Sequence, residues 1–207
     1  INNSIFVIKS RLGAEPAATP AGGSAGDPKI ARHVTIIEGE LHVANQIISE
    51  ILTFARTREI QLRDVELHEF LEETTGRLAV PEKIVLEKKY AQQPISLRVD
   101  PDEIRQMVRN LIGNAFDAMP SGGKLTLSTA VNKNYALLSV MDTGTGIAPE
   151  NVAKIFTPFF TTKSKGTGLG LSVVRKVMDR HNGEVNVESV IGKGTTFHLK
   201  FPIGVIG

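Results

Sequence analysis

The sequence predicts an α+β chain in two parts, a helical hairpin followed by a mixed sheet covered by helices on one face. Three observations lead there. A wide apolar stripe at helical spacing runs from Val34 to Ala55. Short runs rich in β-branched residues, several of them paired around turns, recur between Ile84 and Phe201. Between and beyond those runs lie segments with capped, amphipathic helical patterns, one of which starts directly at a glycine-rich loop.

Composition bounds the rest. With 207 residues, 41% of them apolar and 22% charged, the chain can bury one good core and a smaller element. The net charge of +2, with both signs interspersed, gives no mark of a nucleic-acid or membrane-surface protein. The absence of cysteine excludes a disulfide framework, a thiolate metal site and a thiol nucleophile, and it is compatible with a reducing cytoplasm. No apolar run approaches the length of a membrane span, so any membrane attachment is expected through segments outside this chain.

In chain order, Ile1, Ile5, Ile8 and Leu12 share one helical face and open without a cap, as if the chain starts inside a helix. Residues 13–28, rich in Gly, Ala, Pro, Thr and Ser, read as a flexible loop. A long helix then extends to about Arg58, with Val34, Ile37, Leu41, Ala44, Ile48, Ile51 and Ala55 on a stripe that Ile36, Val43, Ile47, Leu52 and Phe54 widen. A stripe that wide needs several neighbours. Two such hairpins can bury it as a four-helix bundle of two chains; a monomeric hairpin lying on the second domain is the competing arrangement.

In the second part, residues 59–207, helices are expected near Leu67–Ala79, Asp102–Met119 and Leu169–Asn182. Strands are expected at Ile84–Tyr90, Ile95–Val99, Lys124–Val131, Tyr135–Met141, Val185–Val190 and Thr196–Phe201. Asp100-Pro101-Asp102-Glu103 is a helix start, with an N-cap, a proline in the first turn and a capping-box acid. That helix puts Ile104, Val108, Leu111, Ala115 and Met119 on one face, and Asn110, Asn114 and Asp117 on another. Two amides and a carboxylate on a stripe suit an ordinary wet face as well as a binding site.

From Asp142 to Leu171 the chain reads D-T-G-T-G-I-A-P-E-N-V-A-K-I-F-T-P-F-F-T-T-K-S-K-G-T-G-L-G-L. Two glycine loops flank a short helical pattern and a phenylalanine cluster. The second loop runs into Leu169, Val173, Val174, Val177 and Met178, and a helix starting at a glycine loop offers free N–H groups and a positive dipole end to an anion. A nucleoside triphosphate is the simplest ligand with that need. The spacing is not that of a dinucleotide fold, and no P-loop is present.

Taken together, the two glycine boxes, the phenylalanine box between them and N-L-I-G-N-A-F-D-A-M upstream resemble the ATP-binding domain of sensor histidine kinases. That superfamily, the GHKL or Bergerat-type fold, also holds gyrase and MutL. The resemblance implies an α/β sandwich for residues 59–207, and a dimerisation and phosphoacceptor hairpin for residues 1–58, half of a dimeric four-helix bundle, with L-T-F-A-R at Leu52–Arg56 closing its second helix. It also implies the ligands ATP and Mg2+. Asp142 would accept from the adenine amino group, where guanine has a carbonyl, and Thr195 would complete that contact. Gly144 and Gly146 would let the chain pass close to the base and Ile147 would cover it. Gly166, Thr167, Gly168, Leu169 and Gly170 would offer backbone N–H groups to the β and γ phosphates. Asn114 would supply the metal ligand, with Asn110 and Asp117 beside it. Lys163, in T-T-K, would bring a cation to the γ phosphate, although Lys163 and Lys165 read equally well as solvated. Phe156, Phe159 and Phe160 suit either a plain core or the plug of a mobile loop.

Position 110 gives the clearest mechanistic expectation. In the ATP-hydrolysing relatives a glutamate stands there to activate water, whereas Asn110 is no base. The implied function is therefore autophosphorylation of a histidine, and then transfer to an aspartate in a response-regulator receiver domain. The family carries its acceptor in H-E-[ILV]-[KR]-N-P, and I-N-N-S-I-F resembles the residues directly after that motif, so the acceptor is expected shortly upstream of Ile1. His33, His42, His181 and His198 lack the acidic residue that follows the acceptor, and His68, which Glu69 follows, lacks the rest of the motif. Two other readings compete: an ATP-gated dimeric scaffold without phosphotransfer, and a serine protein kinase of the anti-sigma type. N-A-F-D-A-M-P-S-G-G is closest in look to the nitrogen- and transport-regulating branch.

Overall fold

A computed structural model describes residues 34, 35, 37, 41, 59–163 and 166–203. The chain divides into two compact units, residues 1–55 and 56–207. In the first, Val34, Thr35, Ile37 and Leu41 are helical, as the stripe requires. The expectations for the hairpin, the loop 13–28, the rest of the stripe, His33, His42 and Lys165 lie outside the described residues.

The second unit runs β1 (Arg63–Glu66), α1 (Leu67–Gly76), β2 (Ile84–Lys89), β3 (Ser96–Val99), α2 (Pro101–Ala118), β4 (Gly123–Val131), β5 (Tyr135–Asp142), α3 (Pro149–Val152), α4 (Gly170–Arg180), β6 (Glu184–Val190) and β7 (Gly194–Pro202). Five strands form one sheet in the order β2-β4-β5-β7-β6, parallel between β2 and β4 and antiparallel elsewhere. The alternation of burial shows which face is covered. Leu125 and Leu127 of β4, Ala136, Leu138 and Val140 of β5, and Phe197, Leu199 and Phe201 of β7 share one phase of the pairing and are buried, with Val140 between Leu127 and Phe197 in register. Against them pack α2, through Ile104, Met107, Val108, Leu111, Ile112 and Ala115, and α4, through Val173, Val174, Val177 and Met178. Residues of the opposite phase are mostly polar or exposed, as Val85 and Met141 are, with Leu137 half-buried. The sheet thus has helices on one face only, and burying those branched side chains at ~25 cal/mol per Å² is what holds the layers together.

Ser96–Val99 departs from the expected single sheet, since it pairs with β1 in a separate two-stranded antiparallel sheet. The reason lies at its C-terminal end. Val99 runs straight into Asp100, which caps α2 by accepting from the N–H groups of Asp102 and Glu103, so the strand is held at the end of that helix. The buried Asp100 also accepts from Gln61 N–H (2.9 Å), and its own N–H donates to His181 Nε2 (2.9 Å). His181 closes α4, where Asn182 takes a left-handed φ of 52° and Gly183 N–H returns to Met178 C=O, the Schellman pattern that ends this helix two residues before the expected Asn182.

Candidate functional site

Two clusters form along the side of α2 that the sheet leaves uncovered. At the first, Asp142 ends β5 with only 6% of its surface exposed. Its Oδ1 accepts from Gly144 N–H at 2.8 Å and Thr195 N–H at 3.3 Å. Those two bonds use one oxygen, and Oδ2 has no hydrogen-bond partner among the described residues. Burial pushes the Asp142 carboxyl above its ordinary pKa, only partly offset by the Gly144 and Thr195 bonds, so an ionised acceptor is held where water solvates it poorly. This is a short, directional acceptor for an N–H of a ligand.

The same strand pairing sets the neighbours. Asp142 faces Thr195 across β5 and β7, and Thr195 Oγ1 lies 2.9 Å from Ser189 Oγ. Ser189 accepts from Ile147 N–H (2.8 Å) and donates to Gly194 C=O (3.1 Å), which ties the first glycine box to the β6–β7 turn. Gly146 needs both its conformation and its missing side chain there: φ is +72° and a Cβ would lie 2.3 Å from Val190 C=O. Sequence reasoning misses Ser189. The one sign of it in the sequence is its position on a β-rich run just before G-K-G-T, which reads equally as an ordinary hairpin.

The second cluster joins α2 to the start of α4. Asn110 Nδ2 donates to Gly170 C=O at 3.1 Å, and Asn114 Nδ2 lies 3.8 Å from where a Gly170 Cβ would be. Helix α4 begins at Gly170, and its N-cap residue Leu169 makes no side-chain cap hydrogen bond. Gly168, at φ +71°, passes so close to Phe159 that a Cβ would meet its carbonyl carbon at 2.4 Å, and Phe159 N–H donates to Gly168 C=O. Within this loop, Leu169 N–H is taken by Thr167 Oγ1 and Gly166 N–H by Lys163 C=O. Lys163 reaches across to α2, with Nζ 3.0 Å from Asn114 Oδ1 and 2.8 Å from Asp117 Oδ2.

The phenylalanines separate into two kinds. Phe156 packs edge-on against the core residue Phe197 (6.4 Å between centroids), whereas Phe159 is 65% exposed at a left-handed φ of 67°. That conformation is costly for an aromatic residue, and the Gly168 contact is what holds it.

Helix α2 links the clusters, since Thr145 N–H donates to Ala118 C=O (3.0 Å) at its end. From Asn110 to Ala118 the axis rises about 12 Å at 1.5 Å per residue. The arrangement suits an elongated ligand, with a polar heterocycle at Asp142 and an anionic end near Asn110, Asn114 and the α4 start. The donor set also suits a hard cation: an amide and a carboxylate oxygen converge, and the Lys163 ammonium already stands between them.

The three described histidines are all occupied. His181 is buried, with Nδ1–H donating to Val177 C=O and Nε2 accepting from Asp100 N–H; His198 Nδ1 lies 2.9 Å from Ser139 Oγ; and His68 Nε2 lies 2.9 Å from Thr129 Oγ1, its ring stacked on Tyr90. Among the described residues, no helix is long and apolar enough to cross a membrane.

Comparison with known proteins agrees with this geometry. The family described as "Histidine kinase-, DNA gyrase B-, and HSP90-like ATPase" matches residues 99–205. The chain is 36% identical over 172 residues to sporulation kinase C of Bacillus subtilis (strain 168), covering 81% of this chain and 40% of that protein. It is 31% identical over 207 residues to the sensor histidine kinase ZraS of Salmonella typhi, covering 98% of this chain and 43% of the other. Among solved structures, the histidine kinase ThkA in complex with the response regulator protein TrrA is similar with a TM-score of 0.72 and 26% identity, over 98% of this chain and 57% of that one. The chain therefore spans less than half the length of these curated relatives.

Proposed function

Because the chain belongs to the histidine kinase-, DNA gyrase B- and HSP90-like ATPases, we propose that its second unit binds Mg-ATP and passes the γ-phosphoryl group to a histidine, not to water. The observation that carries this is Asn110. It stands at the phosphate end, its Nδ2 committed to Gly170 C=O, where hydrolysis needs a base. Water must lose a proton to become an effective nucleophile. A neutral imidazole nitrogen already has a free lone pair, so it can attack phosphorus, displacing ADP, without help from residue 110.

Each residue has a role on this reading. Asp142 Oδ2 accepts from the adenine amino group, supported by Thr195, while Gly144, Gly146 and Ile147 line the base. Gly166, Thr167, Gly168, Leu169 and Gly170 face the phosphates at the start of α4. Asn114 Oδ1 would hold Mg2+, with Asn110 and Asp117 beside it, and the ion when bound would neutralise phosphate charge. Lys163 completes the cationic surround.

Residues 1–58 serve as the dimerisation hairpin and 59–207 as the ATP-binding domain, in a homodimer. The acceptor belongs to a segment preceding Ile1, a placement supported by the occupation of His68, His181 and His198. The onward acceptor is an aspartate of a response-regulator receiver domain, since the similar ThkA was solved with such a partner. The setting is cytoplasmic, with any membrane anchor outside this chain.

The test is incubation with γ-labelled ATP of this chain alone, and of a mixture with a version extended upstream to include an acceptor segment and carrying Asp142→Asn. The reading expects negligible hydrolysis, no stable label on the chain alone, and acid-labile, base-stable label on the extended partner in the mixture. Stable label on the chain alone would move suspicion to His33 or His42. Rapid release of free phosphate would overturn the kinase reading.

A further inference from the structure

The oxygen proposed to hold the metal is engaged by a side chain of the protein. Lys163 approaches from a loop 49 and 46 residues away in sequence, and its single ammonium bridges Asn114 Oδ1 and Asp117 Oδ2. Magnesium needs an oxygen ligand at about 2.0–2.1 Å in a near-octahedral shell. An ammonium donating to the same amide oxygen at 3.0 Å lies within the volume of that shell. Two cations so close repel, and the lone pairs of Asn114 Oδ1 cannot serve both well.

We infer that Lys163 is a placeholder for the metal. In the nucleotide-free chain it keeps Asn114 Oδ1 oriented and the Asp117 charge paired, and arrival of the metal-bound nucleotide evicts it. The inference rests on the assignment of the metal to Asn114 and deepens it by naming what the ion displaces. Lysine suits the task, being a point charge on a flexible four-carbon stem that can leave one oxygen pair for another. The contact is also weak enough to give way: the two side chains are 42% and 61% exposed, so water and salt screen the pair. Its release leaves an ammonium free beside the phosphates only when metal is present. One residue thus serves two states, positioning oxygens in the empty site and facing phosphate in the filled one.

The measurement is the coupling between metal and nucleotide. ADP affinity is determined by calorimetry with EDTA and with excess Mg2+, for wild type, Lys163→Met, Lys163→Arg and Asn114→Ala, and the ratio of the two affinities is taken for each. ADP lacks the γ phosphate that the freed ammonium would face, so the ratio reads the competition between Lys163 and the ion. Since Lys163 opposes the ion, Lys163→Met should raise the ratio about two- to fivefold, the upper part of the range for an exposed pair, and Lys163→Arg should leave it near wild type. The side-chain amide resonance of Asn114, assigned by its loss in Asn114→Ala, supplies a second readout. Lys163→Met should move it in the nucleotide-free protein and leave it in place in the Mg-ADP complex.

An unchanged ratio, or an Asn114 resonance that moves equally in both states, overturns the placeholder. A ratio that is the same in wild type and Asn114→Ala overturns the metal assignment instead, whatever Lys163→Met does.

Discussion

Replacing Asp142 by asparagine tests the base end of the site in a way the geometry makes unusually specific. The two backbone donors, Gly144 N–H and Thr195 N–H, converge on one oxygen. An amide must keep its carbonyl oxygen toward them, because the other orientation sets an NH2 group against two N–H groups. The NH2 group of the substituted side chain then points where Oδ2 was, a donor where the proposed contact places the adenine amino donor. The variant should lose a charged hydrogen bond and gain a donor–donor conflict, about 1–3 kcal/mol, or roughly 5- to 150-fold in ATP affinity. GTP should gain, since its carbonyl now meets a donor. Stability moves the other way. Burial raises the folded pKa of Asp142, so the folded chain holds that proton more tightly than the unfolded one. The ionised form therefore costs stability once the pH exceeds the ordinary carboxylate range, and the cost vanishes on acidification below it. Without nucleotide, Asp142→Asn should be at least as stable as wild type at neutral pH, and any advantage should shrink toward low pH. Calorimetric titration with ATP and GTP, with thermal melts across pH, reads both effects. Unchanged ATP affinity, or an ATP–GTP gap that stays as wide, would refute the reasoning.

Gly168→Ala should disrupt the loop, because it adds a left-handed strain of about 1–3 kcal/mol and drives a Cβ into the Phe159 carbonyl carbon; proteolysis near Phe159 and ATP affinity read it, and a variant with wild-type values of both would show that the contact is dispensable. His181→Ala removes the ring nitrogen to which Asp100 N–H donates in a buried place, while Val177 C=O keeps the backbone N–H of residue 181, a loss of about 1–3 kcal/mol. For a chain of this size that lowers the melting temperature by about 2–4 °C per kcal/mol, and an unshifted melt would mean that water replaces the ring.

Much of the fold and site is legible in the sequence because local chemistry and tertiary context agree. The D-P-D-E start of α2 forms as a capped helix, since Asp100 has its own backbone to bond. The Asn110, Asn114 and Asp117 stripe faces a site because the apolar stripe of the same helix must face the sheet. The parts that cannot be read depend on residues far apart. Nothing near Ser96 announces that it pairs with β1 instead of the main sheet, nothing near Lys163 announces a bond to a helix 46 residues earlier, and Ser189 becomes a junction only when β6, β7 and the first glycine box meet. His181 looks like a lone histidine until the end of α4 meets the cap of α2. Each is a long-range contact without a local signature.

The sheet order has a consequence for how the site comes into being during synthesis. Strand β7, the last of the described strands to leave the ribosome, lies between β5 and β6, and it is the only partner of β6 in the sheet. Asp142 and Thr195, 53 residues apart, are joined only when that strand inserts. A nascent chain that has exposed β5 but not β7 carries Asp142 without Thr195 N–H, one of the two donors that orient its carboxylate, and ordering so many distant partners is slow compared with local helix formation. Nucleotide cannot select a half-built domain, because the pocket is absent until the strand is in place. Once it is, bound ATP adds RT ln(1 + [L]/Kd) to the stability of the finished fold alone. The ligand would then act as a check on completion, stabilising finished domains and not interrupted ones.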